Sequence, residues 1–175
     1  MRSLLPLLLP LALGTAAEDP AITRLWLSFA REEPTHIVVC WETDSPGPSQ
    51  VAFGTSEALG ATVTKEENVT LHHVEIPIPG QDITWHYQVR SGTRASALHH
   101  FKGLPTGELR VAVVANWGFA QPDLAALARD DVHVLMTAGD NVPDLHHMDR
   151  QGVKAFSALI ASQPALFATT PFMPV

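Results

Sequence analysis

Between Ile22 and Phe101 apolar and polar residues alternate in short runs separated by turn-forming residues. Ile22-Thr-Arg-Leu-Trp-Leu-Ser-Phe29 is the first run, and His36-Ile-Val-Val-Cys-Trp-Glu-Thr43 follows Pro34. Gln50-Val-Ala-Phe53 comes after Ser45-Pro-Gly-Pro-Ser49, which predicts a turn there. Thr70 to Ile78 and Ile83 to Val89 alternate again on either side of Pro79-Gly80, and Ala97 to Phe101 is the last run. A period of two is that of a strand with one buried face. Six or seven such strands at this spacing predict an antiparallel β-sandwich. Trp41 and Tyr87 are the large candidates for its core, with Trp85 on the same strand face as Tyr87.

The rhythm changes after Leu104-Pro-Thr-Gly107, which is the expected boundary. Leu109-Arg-Val-Ala-Val-Val-Ala115 is a nearly continuous apolar run, as in a parallel strand covered on both faces. Pro122 to Arg129 has helical character, with Pro122 at a tolerated first-turn position. Val132 to Met136 predicts a second parallel strand. Asp149 to Ser162 carries Val153, Phe156, Leu159 and Ile160 at helical spacing, and Phe172 to Val175 opens a third strand. The order is a βαβαβ beginning, whose crossovers are right-handed.

The N-terminus stands outside both patterns. Arg2, the apolar stretch Leu4 to Leu13 and the small residues Thr15-Ala-Ala17 before Glu18-Asp19 read as a secretory signal peptide. The stretch is too short to span a bilayer, and no later segment is long and apolar enough, so an exported chain without a transmembrane span is expected. The expected organisation is a signal peptide over 1–17, a sandwich over 20–104 and an α/β segment over 105–175. The 175 residues are 46% hydrophobic with a formal charge of −7, an ordinary globular composition. Without a Lys/Arg cluster to neutralise phosphates, nucleic acid is excluded as a partner. A single cysteine, Cys40, excludes an internal disulfide and reads as a buried small hydrophobe.

Candidate chemistry lies at the ends of the two parallel strands. In open α/β sheets ligands bind outside the carboxyl ends of the strands. Asn116 follows the first strand, and Asp140, in Thr137-Ala-Gly-Asp-Asn141, follows the second. Gly118 and Gly139 beside them permit tight turns. Asp140 is thus a candidate metal ligand and Asn116 a weaker, neutral donor; the competing reading of Asp140 is a cap for the segment after it. Of the histidine pairs, His72-His73 and His99-His100 read as half-exposed strand residues, since neighbours on a strand face opposite ways. His146-His147 is close enough in sequence to approach Asp140 from its loop, and His133 reads as a packed strand residue. Asn68-Val-Thr70 fits a glycosylation acceptor.

Taken in order, these features resemble the calcineurin-like metallophosphoesterases, and among them the purple acid phosphatases. The sandwich, with Trp85-His-Tyr-Gln-Val89, resembles the fibronectin III-like N-terminal domain of the plant-type enzymes. Val111-Ala-Val-Val-Ala-Asn-Trp-Gly118 resembles the first metal motif, Gly-Asp-x-Gly, and Thr137-Ala-Gly-Asp140 the second, whose aspartate bridges both metals. Thr170-Pro-Phe-Met-Pro-Val175 resembles the strand leading to the third motif, Gly-Asn-His-Asp/Glu. The resemblance implies a two-domain chain whose second part is an incomplete α/β metallophosphoesterase domain. It implies two divalent or Fe/Zn/Mn-type ions in the complete enzyme and a phosphoester substrate. Attack on phosphorus would come from metal-bound hydroxide.

Two departures accompany it. Asn116 stands where the family has its first aspartate, and Pro143 where the purple enzymes place a tyrosinate. The third motif and the later acid/base histidines are not in these residues. The expectation is an N-terminal portion of a purple acid phosphatase-like hydrolase, inactive alone. The alternative is a non-enzymatic exported β-sandwich binding module with a vestigial metallophosphoesterase segment.

Overall fold

The computed structural model describes residues 21–29, 35–117, 124, 126–127, 129–141 and 151–174, with the side chains of 151–156 excepted. The expected signal peptide, Gly118, Pro122, Pro143, Asp149 and His146-His147 lie outside them. The described chain is mostly β-sheet. Six strands form the first sheet: β1 (Ile22–Ser28), β2 (His36–Gly54), β3 (Ala61–Pro77), β4 (Thr84–Ser91), β5 (Arg94–Ala95) and β6 (His99–Lys102). All their pairings are antiparallel.

This sheet folds on itself because β2 and β3 belong to both layers. The first part of β2 pairs with β1 from Val38 to Thr43, and its second part pairs with β4 from Gln50 to Gly54. The β2–β3 ladder shifts register between Glu42 and Gly47 and again between Gly47 and Ser49. The turn expected at Ser45-Pro-Gly-Pro-Ser49 is therefore corrected to an extended, irregular crossing. Pro46 and Pro48 have no N–H to give, so they fall where the ladder is already interrupted.

Leu25, Leu27, Ile37, Val39, Trp41, Val51, Phe53, Tyr87, Val89 and Phe101 bury themselves together, which makes a β-sandwich. Trp41 and Tyr87 are fully buried, and Trp41 Nε1 donates to Ser91 Oγ at 3.1 Å from the opposite layer. Each large apolar side chain sealed in this way contributes about 1.5–3 kcal/mol. Cys40 is buried as expected, and burial pushes its thiol up to about 12, which keeps it protonated and inert.

A three-stranded parallel sheet follows, in the order β7 (Val111–Val114), β8 (Val134–Thr137), β9 (Phe172–Met173). Between β8 and β9 lie α1 (Gln151–Ser162) and α2 (Pro164–Thr169). Leu159, Ile160, Leu166 and Phe167 from these helices pack with Leu135, Phe172 and Trp117 on one face of the sheet. The other face is open among the described residues: Val111 is 40% exposed and Val113 64%. The expectation of a first parallel strand covered on both faces is corrected accordingly. Both helices lie on the same crossover and so cover the same side. Residues 126–127 and 129–131 form hydrogen-bonded turns. No helix of the described residues is long and apolar enough to cross a membrane.

The two sheets are joined through α2. Ala168 is buried in the sandwich core, and its carbonyl accepts a 2.7 Å hydrogen bond from the Tyr87 hydroxyl. That carbonyl belongs to the last turn of a helix, where no intrahelical donor remains, so the phenol supplies one. Ser28 Oγ donates to Phe172 O at 3.2 Å, and Lys102 of β6 pairs with Asp131 just before β8. We expect Tyr87→Phe to cost about 1–2 kcal/mol in denaturant unfolding, because a buried carbonyl loses its donor. An unchanged midpoint would show that α2 is held by apolar packing alone.

Candidate functional site

The two predicted ligands come together at the carboxyl end of the parallel sheet. Val114 is paired with Thr137 in register, and the chains leave the two strands side by side. Ala138 N donates to Val114 O at 2.9 Å, and Asn116 N donates to Gly139 O at 3.4 Å. The Asn116 and Asp140 loops are thus adjacent through their backbones. Both residues adopt left-handed conformations, at φ 56° and 53°, and Gly139 between the strands' ends sits at φ 88°. Asn and Asp tolerate this region best among non-glycine residues, since short polar side chains can satisfy nearby backbone groups.

Both side chains are exposed, and neither has a hydrogen-bond or ion-pair partner among the described residues. Two oxygen-bearing side chains are therefore exposed on adjacent loops at the strand ends. The loop that carries Asn116 is anchored from below by the next residue. Trp117 is fully buried and stacks on Phe167 at 5.5 Å, and Phe167 meets Phe172 edge-on at 5.2 Å. This aromatic ladder ties the first strand's exit to α2 and β9. Sequence reading placed Trp117 only as a position within a motif; its signal was a large aromatic directly after a strand, where a loop needs an anchor.

Oxygen donors of this kind suit a hard cation, which needs about six of them. Among the described residues no three His, Cys, Asp or Glu side chains cluster to hold a metal. The pair alone does not fit a two-metal centre, and His146-His147 lies outside the described residues. His133 is half-buried at the opposite end of β8, where Arg110 N donates to its Nδ1 at 3.1 Å. A cavity of about 180 Å³ beside His133, Lys102 and Asp82 lies at that end too, away from Asp140. His99 is half-buried and His100 exposed, as expected of strand neighbours, but His72 is completely buried, which corrects its half-exposed reading.

No family model matches the chain, and no curated protein matches it. Among solved structures the chain superposes on PhoD with a TM-score of 0.64 at 11% identity, over 93% of this chain and 40% of that one. The fold is similar to that of PhoD. The chain spans about 40% of the length of that protein, and at this identity the likeness concerns fold alone. Looser superpositions reach a Paenibacillus cycloisomaltooligosaccharide glucanotransferase (TM-score 0.41, 11% identity, 87% of this chain and 27% of that). The third fibronectin III domain of human KIAA0343 protein is another (0.37, 13%, 55% and 96%).

The strained turn at the site can be tested directly. A Cβ on Gly139 would meet nothing within 4 Å, so only its backbone conformation resists substitution. We expect Gly139→Ala to lower unfolding stability by about 1–2 kcal/mol. A neutral effect would mean that the turn relaxes without the glycine.

Proposed function

We propose that this chain is the N-terminal portion of an exported, metal-dependent phosphoester hydrolase of purple acid phosphatase type. Its sandwich would span 20–104 and the start of its catalytic domain 105–175. The observation that carries the reading is the adjacency of Asn116 and Asp140 at the carboxyl ends of neighbouring parallel strands. The similarity in fold to PhoD supports it. Asp140 would take the bridging position of a two-metal site, and Asn116 would be a neutral donor where the family has a carboxylate.

The donor count limits what these residues do by themselves. A carboxylate and an amide oxygen cannot position two cations, and replacing Asp by Asn removes one negative charge from the first site. The remaining donors and the groups that move protons belong to other parts of the complete protein under this reading. The alternative, a non-enzymatic exported module, draws on the same small donor set and on Asn116.

Manganese titration by calorimetry separates the two. We expect Asn116→Asp to tighten Mn²⁺ binding about tenfold or more, roughly 1.4 kcal/mol, because it restores a carboxylate beside Asp140. Asp140→Asn should abolish that gain. Equal affinities in all three proteins would favour the non-enzymatic module. Residues 1–175 alone are expected to show no turnover of an aryl phosphate with zinc, iron or manganese. Turnover lost in Asp140→Ala would contradict that and show a self-sufficient site.

A further inference from the structure

His72 lies on β3 directly opposite Trp41 in the ladder, and its ring stacks on the indole at 4.5 Å with parallel planes. Its two nitrogens are engaged by residues on either side of the irregular crossing of β2. Thr43 Oγ1 is 3.0 Å from Nε2, and Ser49 Oγ is 2.7 Å from Nδ1. The Thr43 hydroxyl spends its one proton on Ser45 O at 2.8 Å, so towards the ring it accepts. Nε2 therefore carries the ring proton, and Nδ1 accepts from the Ser49 hydroxyl. All three groups are satisfied with the imidazole neutral, and all three are buried.

A second proton has no place in this arrangement. It would set an Nδ1–H against the Ser49 hydroxyl, which must then turn its own proton into the core. Among the described residues no carboxylate offsets the charge there. Of the charged groups on the surrounding strands, Glu42 of β2 faces the other way and pairs with Arg24 of β1. Asp44 accepts from Ala21 N and Ser45 Oγ. Arg90 of β4 is exposed, lying between buried Val89 and Ser91. On β3 itself, His73 points outward beside His72, and Lys65 Nζ donates to the His73 carbonyl at 2.8 Å. Both add positive charge. We propose that Thr43, His72 and Ser49 form an acid-sensitive latch. It holds the crossing of β2 and β3 shut while the imidazole is neutral and releases it on protonation.

Burial first, and then His73, lowers the His72 pKa from 6.5 to about 4 in the closed state. In the open state the imidazole returns to its ordinary value. The stabilisation is therefore complete above about pH 6.5, is lost as pH falls from there to about 4, and declines no further below. The shift corresponds to an opening constant that rises about a hundredfold between pH 6.5 and pH 4.

Native-state amide exchange across 43–49 and 64–72, corrected for the intrinsic pH dependence of exchange, tests this on the full chain. The rise is expected in the wild type and in His73→Gln, and should be absent in His72→Gln. The same rise in His72→Gln would overturn the latch, as would no rise in the wild type. Should His72→Gln fail to fold, NMR titration of the His72 Cε1 proton in the wild type decides. A midpoint near pH 4 supports the latch, and one near 6.5 overturns it.

Discussion

The Tyr87 hydroxyl and the Ala168 carbonyl meet across 81 residues of sequence, and much of the arrangement depends on that buried contact. Burial holds the phenol's pKa well above its ordinary value, so the group stays protonated and remains a donor. It closes the last turn of α2 and places the Ala168 methyl in the sandwich core. Through α2, Phe167 supports Trp117 on one side and Phe172 on the other. The loop that presents Asn116 is thus fixed by the sandwich as well as by its own short sheet. A parallel strand of four residues has little capacity to define a loop alone; bracing from a separate core supplies the missing rigidity.

The same economy governs the ends of the parallel strands. Asn116 and Asp140 are brought together by ladder register and by two backbone hydrogen bonds, with no side-chain network among the described residues. Their side chains are exposed and have no partner among the described residues. The scaffold thus sets where the two residues lie, and as proposed ligands they would need further donors to hold a cation. The open Val111 and Val113 face is consistent with a sheet whose packing is one-sided among the described residues.

Much of this was legible in the sequence wherever one periodicity dominated. The alternation at Ile37, Val39 and Trp41, and at Trp85, Tyr87 and Val89, located the sandwich core because those strands have one buried face. Asn116 and Asp140 could be paired because strand-end positions in parallel sheets converge. Other elements carried no such signal. The arm of β3 from Ala61 to Val69 is nearly all exposed, so it has no apolar period to read. Pro46, Gly47 and Pro48 look like a turn because their chemistry suits one; the pairing of β2 with β3 on both sides of them overrides it. The six-residue α2 is too short to show a helical period, and His72 looked like its neighbour until packing distinguished their faces. The cover on β7 was misjudged because an apolar run signals burial without showing what does the burying.

The proposed cation site pairs Asn116 with Asp140. Paramagnetic broadening by Mn²⁺ tests it most directly, read on the backbone amides of the isotopically labelled chain. The Asn116 and Asp140 amides are expected to broaden together, and before those elsewhere in the protein. Broadening of one without the other, or first broadening at His99 and His100, would contradict it.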